Sequence, residues 1–121
     1  MSDRLKAFNE YRQRMNETIL NKGNLQINRF FSLDSQAYRD GALPAKTKEL
    51  MGLVASMVLR CDDCITYHLI QCAQHETTDE EFFEAFNVAL VVGGSIVIPH
   101  LRRAVDTLEE IRAQASPSHR K

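Results

Sequence analysis

PAKTKELMGLVASMVLRCDDCITYHLIQC, residues 44–72, decides how this chain folds. Leu50, Leu53, Val54, Met57 and Val58 recur at spacings of three and four, the period of a helix from about Pro44 to Leu59. Pro44 suits a first turn, where the N–H it lacks would be unpaired anyway. A second helix runs from about Asp62 to His75, with only a short turn near Arg60 between the two. Helices joined so tightly pack antiparallel, and positions equidistant from the turn lie level. Glu49 and His68 have their midpoint between residues 58 and 59, close to that turn, so the carboxylate and the imidazole are expected to face each other. Glu49 precedes the apolar run LMGLVASMVL, where a lone carboxylate is costly and a partner is expected. The alternative is an exposed Glu49 beside Lys46 and Lys48.

Outward from this hairpin the same periodicity continues. Leu5, Phe8, Tyr11, Met15 and Ile19 mark an N-terminal helix closed by Gly23. Residues 26–40 carry Ile27, Phe30, Phe31, Leu33 and Tyr38, as one helix or two short ones ending near Gly41. Thr78 and Glu81 form a capping box that opens a fifth helix, which Gly93-Gly94 ends or loosens. A sixth runs from about Ser95 to Ala115, with Pro99 in or near its first turn. Strand patterns, linkers and repeats are not evident. The expected fold is an all-α bundle of about six helices, one domain over residues 1–115 with the hairpin at its centre. The polar tail, residues 116–121, is expected to fray.

The 121 residues are 44% hydrophobic and 26% charged, the balance of a soluble globular domain. A formal net charge of -1 gives no basic patch for nucleic acid or anionic lipid. The N-terminus lacks an apolar signal segment, and no run approaches the roughly 18 apolar residues of a membrane span. Three cysteines without an export signal argue for a cytoplasmic protein whose disulfides are transient. NVALVVGGSIVIP, residues 87–99, is apolar on every side. Such a helix is either the central core element or part of a subunit interface, and a homo-oligomer is expected.

All three cysteines fall within CDDCITYHLIQC, residues 61–72. Cys61 and Cys64 form C-x-x-C, and at a helix start the unpaired N–H groups and the dipole favour a thiolate. Zinc is the first rival. Cys61 and Cys72 on one helix lie about 16 Å apart, so one ion cannot take Cys61, Cys64, His68 and Cys72 together. A partial zinc site at Cys61, Cys64 and His68 stays open. Covalent haem attachment needs a histidine where Ile65 stands. Packing is the second rival, and it suits Cys72, whereas Asp62 and Asp63 place the other two thiols in an exposed turn. His68 follows Cys64 by one helical turn on the same face, within reach as a base. Position at the helix start favours Cys61 as the attacking sulfur, and proximity to His68 favours Cys64. His100 is a secondary candidate that could reach the site from the sixth helix; His75 and His119 are assigned to solvent.

Glu49, eleven residues, Cys61, two residues, Cys64, three residues, His68: this ordered set resembles the signature of the AhpD-like alkylhydroperoxidases, of the carboxymuconolactone decarboxylase superfamily. The stretch from Pro44 to Gly94 resembles the family core of a single-unit member. The resemblance implies an all-α fold assembled as trimers or hexamers, the hexamer favoured, and chemistry without a cofactor or metal. It implies that Cys64, activated through His68 and Glu49, attacks a hydroperoxide to give a sulfenic acid. Cys61 then condenses with it, and a dithiol such as a lipoyl protein or a thioredoxin-like partner reopens the disulfide. Better-studied AhpD proteins carry a histidine just before the second cysteine, where this chain has Asp63. Asp62 and Asp63 oppose thiolate formation, so slow peroxidase turnover or disulfide exchange is expected. The C-x-x-C argues against lactone decarboxylation itself. A decarboxylase-type enzyme acting on another small molecule, and a non-catalytic oligomer, are the remaining alternatives.

Overall fold

Six α-helices account for most of the residues, and the computed structural model describes residues 3–115. The expected frayed tail and His119 lie outside the described residues. No strand occurs among those described. The chain divides into two units, residues 1–39 and 40–121.

In the first unit, α1 (Asp3–Lys22) and α2 (Leu25–Ala37) are separated by two residues. Asn24 caps α2, its side-chain oxygen accepting the Ile27 N–H at 3.1 Å. Gly23 is required by space: its N–H meets the Ile19 carbonyl at 2.6 Å, and a Cβ would stand 2.5 Å from that oxygen. Residues 26–40 thus supply one helix, and Leu25, Phe30 and Leu33 on it are exposed.

The second unit contains α3 (Ala45–Val58), α4 (Asp62–Gln74), α5 (Asp79–Gly93) and α6 (Ile98–Ala115). Pro44 is the N-cap of α3 rather than part of its first turn, and Asp40 Oδ1 accepts the Ala45 N–H beside it. The core draws on all four helices: Leu53 and Met57, Ile65, Leu69 and Cys72, Phe82, Phe86 and Ala89, and Ala104, Leu108 and Ile111. Fully burying a Leu, Ile, Met or Phe side chain is worth about 1.5–3 kcal/mol. Two buried hydroxyls are satisfied within their helices, Ser56 donating to the Gly52 carbonyl and Thr66 to that of Asp62.

The turn between α3 and α4 is what sets their pairing. Arg60 takes a left-handed conformation (φ 62°), its N–H reaching the Met57 carbonyl while the Cys61 N–H reaches that of Ser56. These are the two reverse bonds of a Schellman motif, which stops α3 at Val58 and lets α4 begin at Asp62. Glu76 repeats the device after α4, with φ 62° and the Thr77 N–H bonded to the Cys72 carbonyl. The expected capping box at Thr78 and Glu81 is present in both directions, at 3.1 and 2.9 Å. Glu81 also holds Lys46 at 2.8 Å, tying α5 to α3.

Gly94 (φ +82°) ends α5, and a single 3-10 turn, Ser95–Val97, precedes α6. Gly93 lies so close to buried Val97 that a Cβ would meet its Cγ2 at 2.5 Å. The sixth helix therefore starts three residues later than its apolar pattern indicates, with Pro99 second in the helix. The central-core reading of residues 87–99 is corrected: α5 buries Phe82, Phe86 and Ala89, while Val88, Val91, Val92 and Ile96 face outward.

Candidate active site

α3 and α4 bring Glu49 and His68 together. Both are buried, at 4% and 8% exposure, and His68 Nδ1 lies 2.8 Å from Glu49 Oε1. An ionised carboxylate only accepts, so Nδ1 carries the proton and Nε2 is the ring's basic nitrogen. Tyr67 packs edge-on against the imidazole, ring centroids 5.2 Å apart. The hairpin arithmetic thus predicts the pairing, and the exposed alternative for Glu49 does not hold.

The thiol pair sits at the start of α4, Cys64 one turn and Cys61 two turns before His68. Cys61 is the N-cap of that helix, and its Sγ accepts the Cys64 backbone N–H at 3.3 Å. The partial positive charge of the helix N-terminus is therefore directed at the Cys61 sulfur. Cys64 is exposed, and its thiol is pushed up to about 11. Its hydrogen bond to Cys61 is the main cause, followed by desolvation, the charge of Cys61 and that of Asp63. Asp63 does act against the thiolate, as the sequence indicates, although it is not the largest influence.

Cys72 is fully buried, as its core assignment requires. Burial, and then the charge of Glu49, push its thiol up to about 12. In the native protein Cys72 is therefore expected to resist iodoacetamide while Cys61 and Cys64 react. All three should label once the chain is denatured, with peptide mass mapping as the measurement. Labelling of native Cys72 at the rate of the pair would contradict this placement.

No three His, Cys, Asp or Glu side chains among the described residues form a group able to hold a metal ion. The partial zinc set of Cys61, Cys64 and His68 is not assembled. His100 does reach the α4 N-terminus, but it contacts Asp62 rather than a thiol, Nδ1 standing 2.8 Å from Asp62 Oδ1. Arg103 joins the same carboxylate through Nε at 2.9 Å. Arg103 belongs to no sequence motif; its position three residues after His100, on the same helix face, is the signal that marks it. His75 is exposed, and no described helix is long and apolar enough to cross a membrane.

An all-helical chain with C-x-x-C at a helix N-terminus, backed by a buried carboxylate–imidazole pair, defines a narrow class of thiol protein. The carboxymuconolactone decarboxylase family profile matches residues 28–107, and the chain belongs to that family. Two crystal structures of protein TM1620 from Thermotoga maritima are similar to it. One is 65% identical, with a TM-score of 0.87, covering 89% of this chain and 95% of that one. The other is 64% identical, with a TM-score of 0.85 and coverage of 88% and 91%; there TM1620 is described as a member of the same family, with a part in an antioxidative response named as a possibility. A family member from Legionella pneumophila, solved in its apo form, is 27% identical with a TM-score of 0.81, covering 90% of this chain and 97% of its own. An uncharacterised protein from the cox locus of Paracoccus denitrificans is 30% identical over 68% of this chain and 74% of its own length.

Proposed function

We propose that this protein is a thiol-dependent hydroperoxide reductase whose C-x-x-C pair is activated through the Glu49–His68 relay. The observation that carries this reading is the 2.8 Å hydrogen bond between two buried, ionisable side chains, of which His68 follows Cys64 by one helical turn. A buried carboxylate is expensive to maintain, and holding one tautomer of a neighbouring imidazole is a use that justifies it.

In the proposed cycle, Nε2 of His68 takes the Cys64 proton. The thiolate attacks the terminal oxygen of a hydroperoxide, the O–O bond breaks, and the proton returns to the departing alkoxide as alcohol. Cys64 is left as a sulfenic acid. The Cys61 sulfur displaces its hydroxyl, releasing water and forming the Cys61–Cys64 disulfide. A dithiol, of the lipoyl or thioredoxin kind, then attacks the disulfide and leaves oxidised, restoring both thiols. The high Cys64 value explains why a relay is needed: without a base the thiol stays protonated. The antioxidative link named for TM1620 agrees with this chemistry. Consumption of cumene or tert-butyl hydroperoxide by the wild-type protein, supplied with dihydrolipoamide, is the test, and no consumption above the dithiol alone would reject the reading. A second reading, disulfide exchange with protein partners, is favoured by one observation: the Cys61 sulfur already takes the helix N–H that would stabilise it as an anion.

The acting form is proposed to be a homo-oligomer, a hexamer in preference to a trimer. Support comes from an open apolar groove of about 500 Å³ between α3 and α5, lined by Leu50, Met51, Val54, Val58, Val88 and Val92. Leu59, also in its lining, is 77% exposed, and Val91 on α5 is 85% exposed. Apolar surface of this extent is rarely left to water. Light scattering is expected to give a hexamer mass, and Val92→Glu to lower it; a wild-type monomer would contradict the proposal.

A further inference from the structure

Asp62 stands between the two thiols in sequence, yet its charge is taken up by α6. Oδ1 accepts from His100 Nδ1 at 2.8 Å and Oδ2 from Arg103 Nε at 2.9 Å. Arg103 Nη2 lies 3.2 Å from the same His100 nitrogen, so the three side chains form one cluster. The His100 side chain is mostly covered, while those of Asp62 and Arg103 are about half exposed. Partial burial of Asp62 works to raise its carboxyl, but the His100 hydrogen bond and the charge of Arg103 outweigh it and hold the group below its ordinary value. Asp62 is thus an anion with its compensation built in.

That compensation lies one residue from Cys61 and two from Cys64 in the sequence. A carboxylate next to Cys61 opposes a thiolate there, and by adding negative charge to the reduced site it makes the disulfide harder to reduce. Pairing with a guanidinium cancels much of this. Asp62 is an exposed first-turn residue of α4, so its carboxylate is not part of the core. We infer that His100 and Arg103 are positioning residues which, by neutralising Asp62, set the acidity of the Cys61–Cys64 dithiol and the reduction potential of its disulfide. They touch neither sulfur and act through the carboxylate.

The inference rests on the redox reading of the pair, and the test separates the two. Thiolate formation in the reduced protein is followed by ultraviolet absorbance against pH, and the disulfide is equilibrated against glutathione buffers. Arg103→Gln is expected to raise the thiol titration midpoint and to shift the glutathione equilibrium about threefold toward the disulfide, the scale of a half-exposed ion pair. His100→Leu should act in the same direction. Asp62→Asn should move both readouts the opposite way, and Arg103→Lys, which keeps the charge, should stay near wild type. In the Asp62→Asn background, Arg103→Gln should move neither readout further, because no carboxylate is left for the guanidinium to neutralise. Unchanged values in Arg103→Gln and His100→Leu, or shifts of equal size and sign with and without Asp62, would overturn the inference. If the wild-type pair forms no disulfide in oxidised glutathione, the redox reading fails, and the absorbance titration still decides what the cluster does.

Discussion

Glu49→Gln is expected to cut hydroperoxide turnover at neutral pH by about 100-fold or more, the usual worth of a positioned general base. Gln retains the volume and one acceptor oxygen, so the fold should survive. What is lost is the charge that stabilises an imidazolium, together with the certainty of tautomer, because the amide NH2 can also turn toward Nδ1. The residual activity should then follow unaided ionisation of Cys64, whose thiol sits near 11. It should therefore climb about tenfold per pH unit through the alkaline range, because only the deprotonated sulfur reacts. Glu49→Ala should add a stability loss of about 1–3 kcal/mol, since it leaves the buried Nδ1–H of His68 without its carboxylate. Full activity in Glu49→Gln, measured as peroxide consumed with excess dithiol, would mean that the carboxylate serves the fold alone.

The two cysteine variants should both lose turnover but fail at different steps. Cys64→Ser is expected to consume no peroxide, even stoichiometrically. Cys61→Ser should consume one equivalent and stop, with a sulfenic acid on Cys64 that dimedone traps. Serine is also a good helix N-cap, so Cys61→Ser keeps the start of α4 intact and the comparison stays chemical. Cys61 is the leading cause of the raised Cys64 value, and its removal should bring Cys64 down toward the ordinary thiol range. The first oxidation in Cys61→Ser should then be no slower than in wild type. Dimedone on Cys61 in the Cys64→Ser protein would reverse the assigned roles and favour the sulfur at the helix N-cap.

Much of this site is legible in the sequence because a tight helical hairpin turns spacing into geometry. Once the turn is placed near Arg60, the pairing of Glu49 with His68 follows from counting, and their 2.8 Å contact agrees with it. The capping box at Thr78 and the core position of Cys72 follow as directly, since each depends on local spacing or on residue type. Other features depend on information that pattern does not hold. Arg60 and Glu76 adopt left-handed conformations without being Gly or Asn, so no residue type marks those turns. The late start of α6 comes from Gly94 and the close approach of Val97 to Gly93, a tertiary contact that apolar periodicity cannot register. Residues 87–99 read as apolar all round, and composition alone does not say which face a core of this size can cover. The cluster of Asp62, His100 and Arg103 joins residues about forty positions apart, and only the packing of α6 against α4 reveals it.

Fully reduced protein treated with one equivalent of cumene hydroperoxide, quenched by alkylation and mapped by peptide mass, tests the central claim most directly. The account predicts a Cys61–Cys64 disulfide formed in step with peroxide loss, Cys72 left as a thiol, and a reaction slowed about 100-fold by Glu49→Gln. Peroxide left intact, or a disulfide forming equally fast with Glu49→Gln, would contradict it.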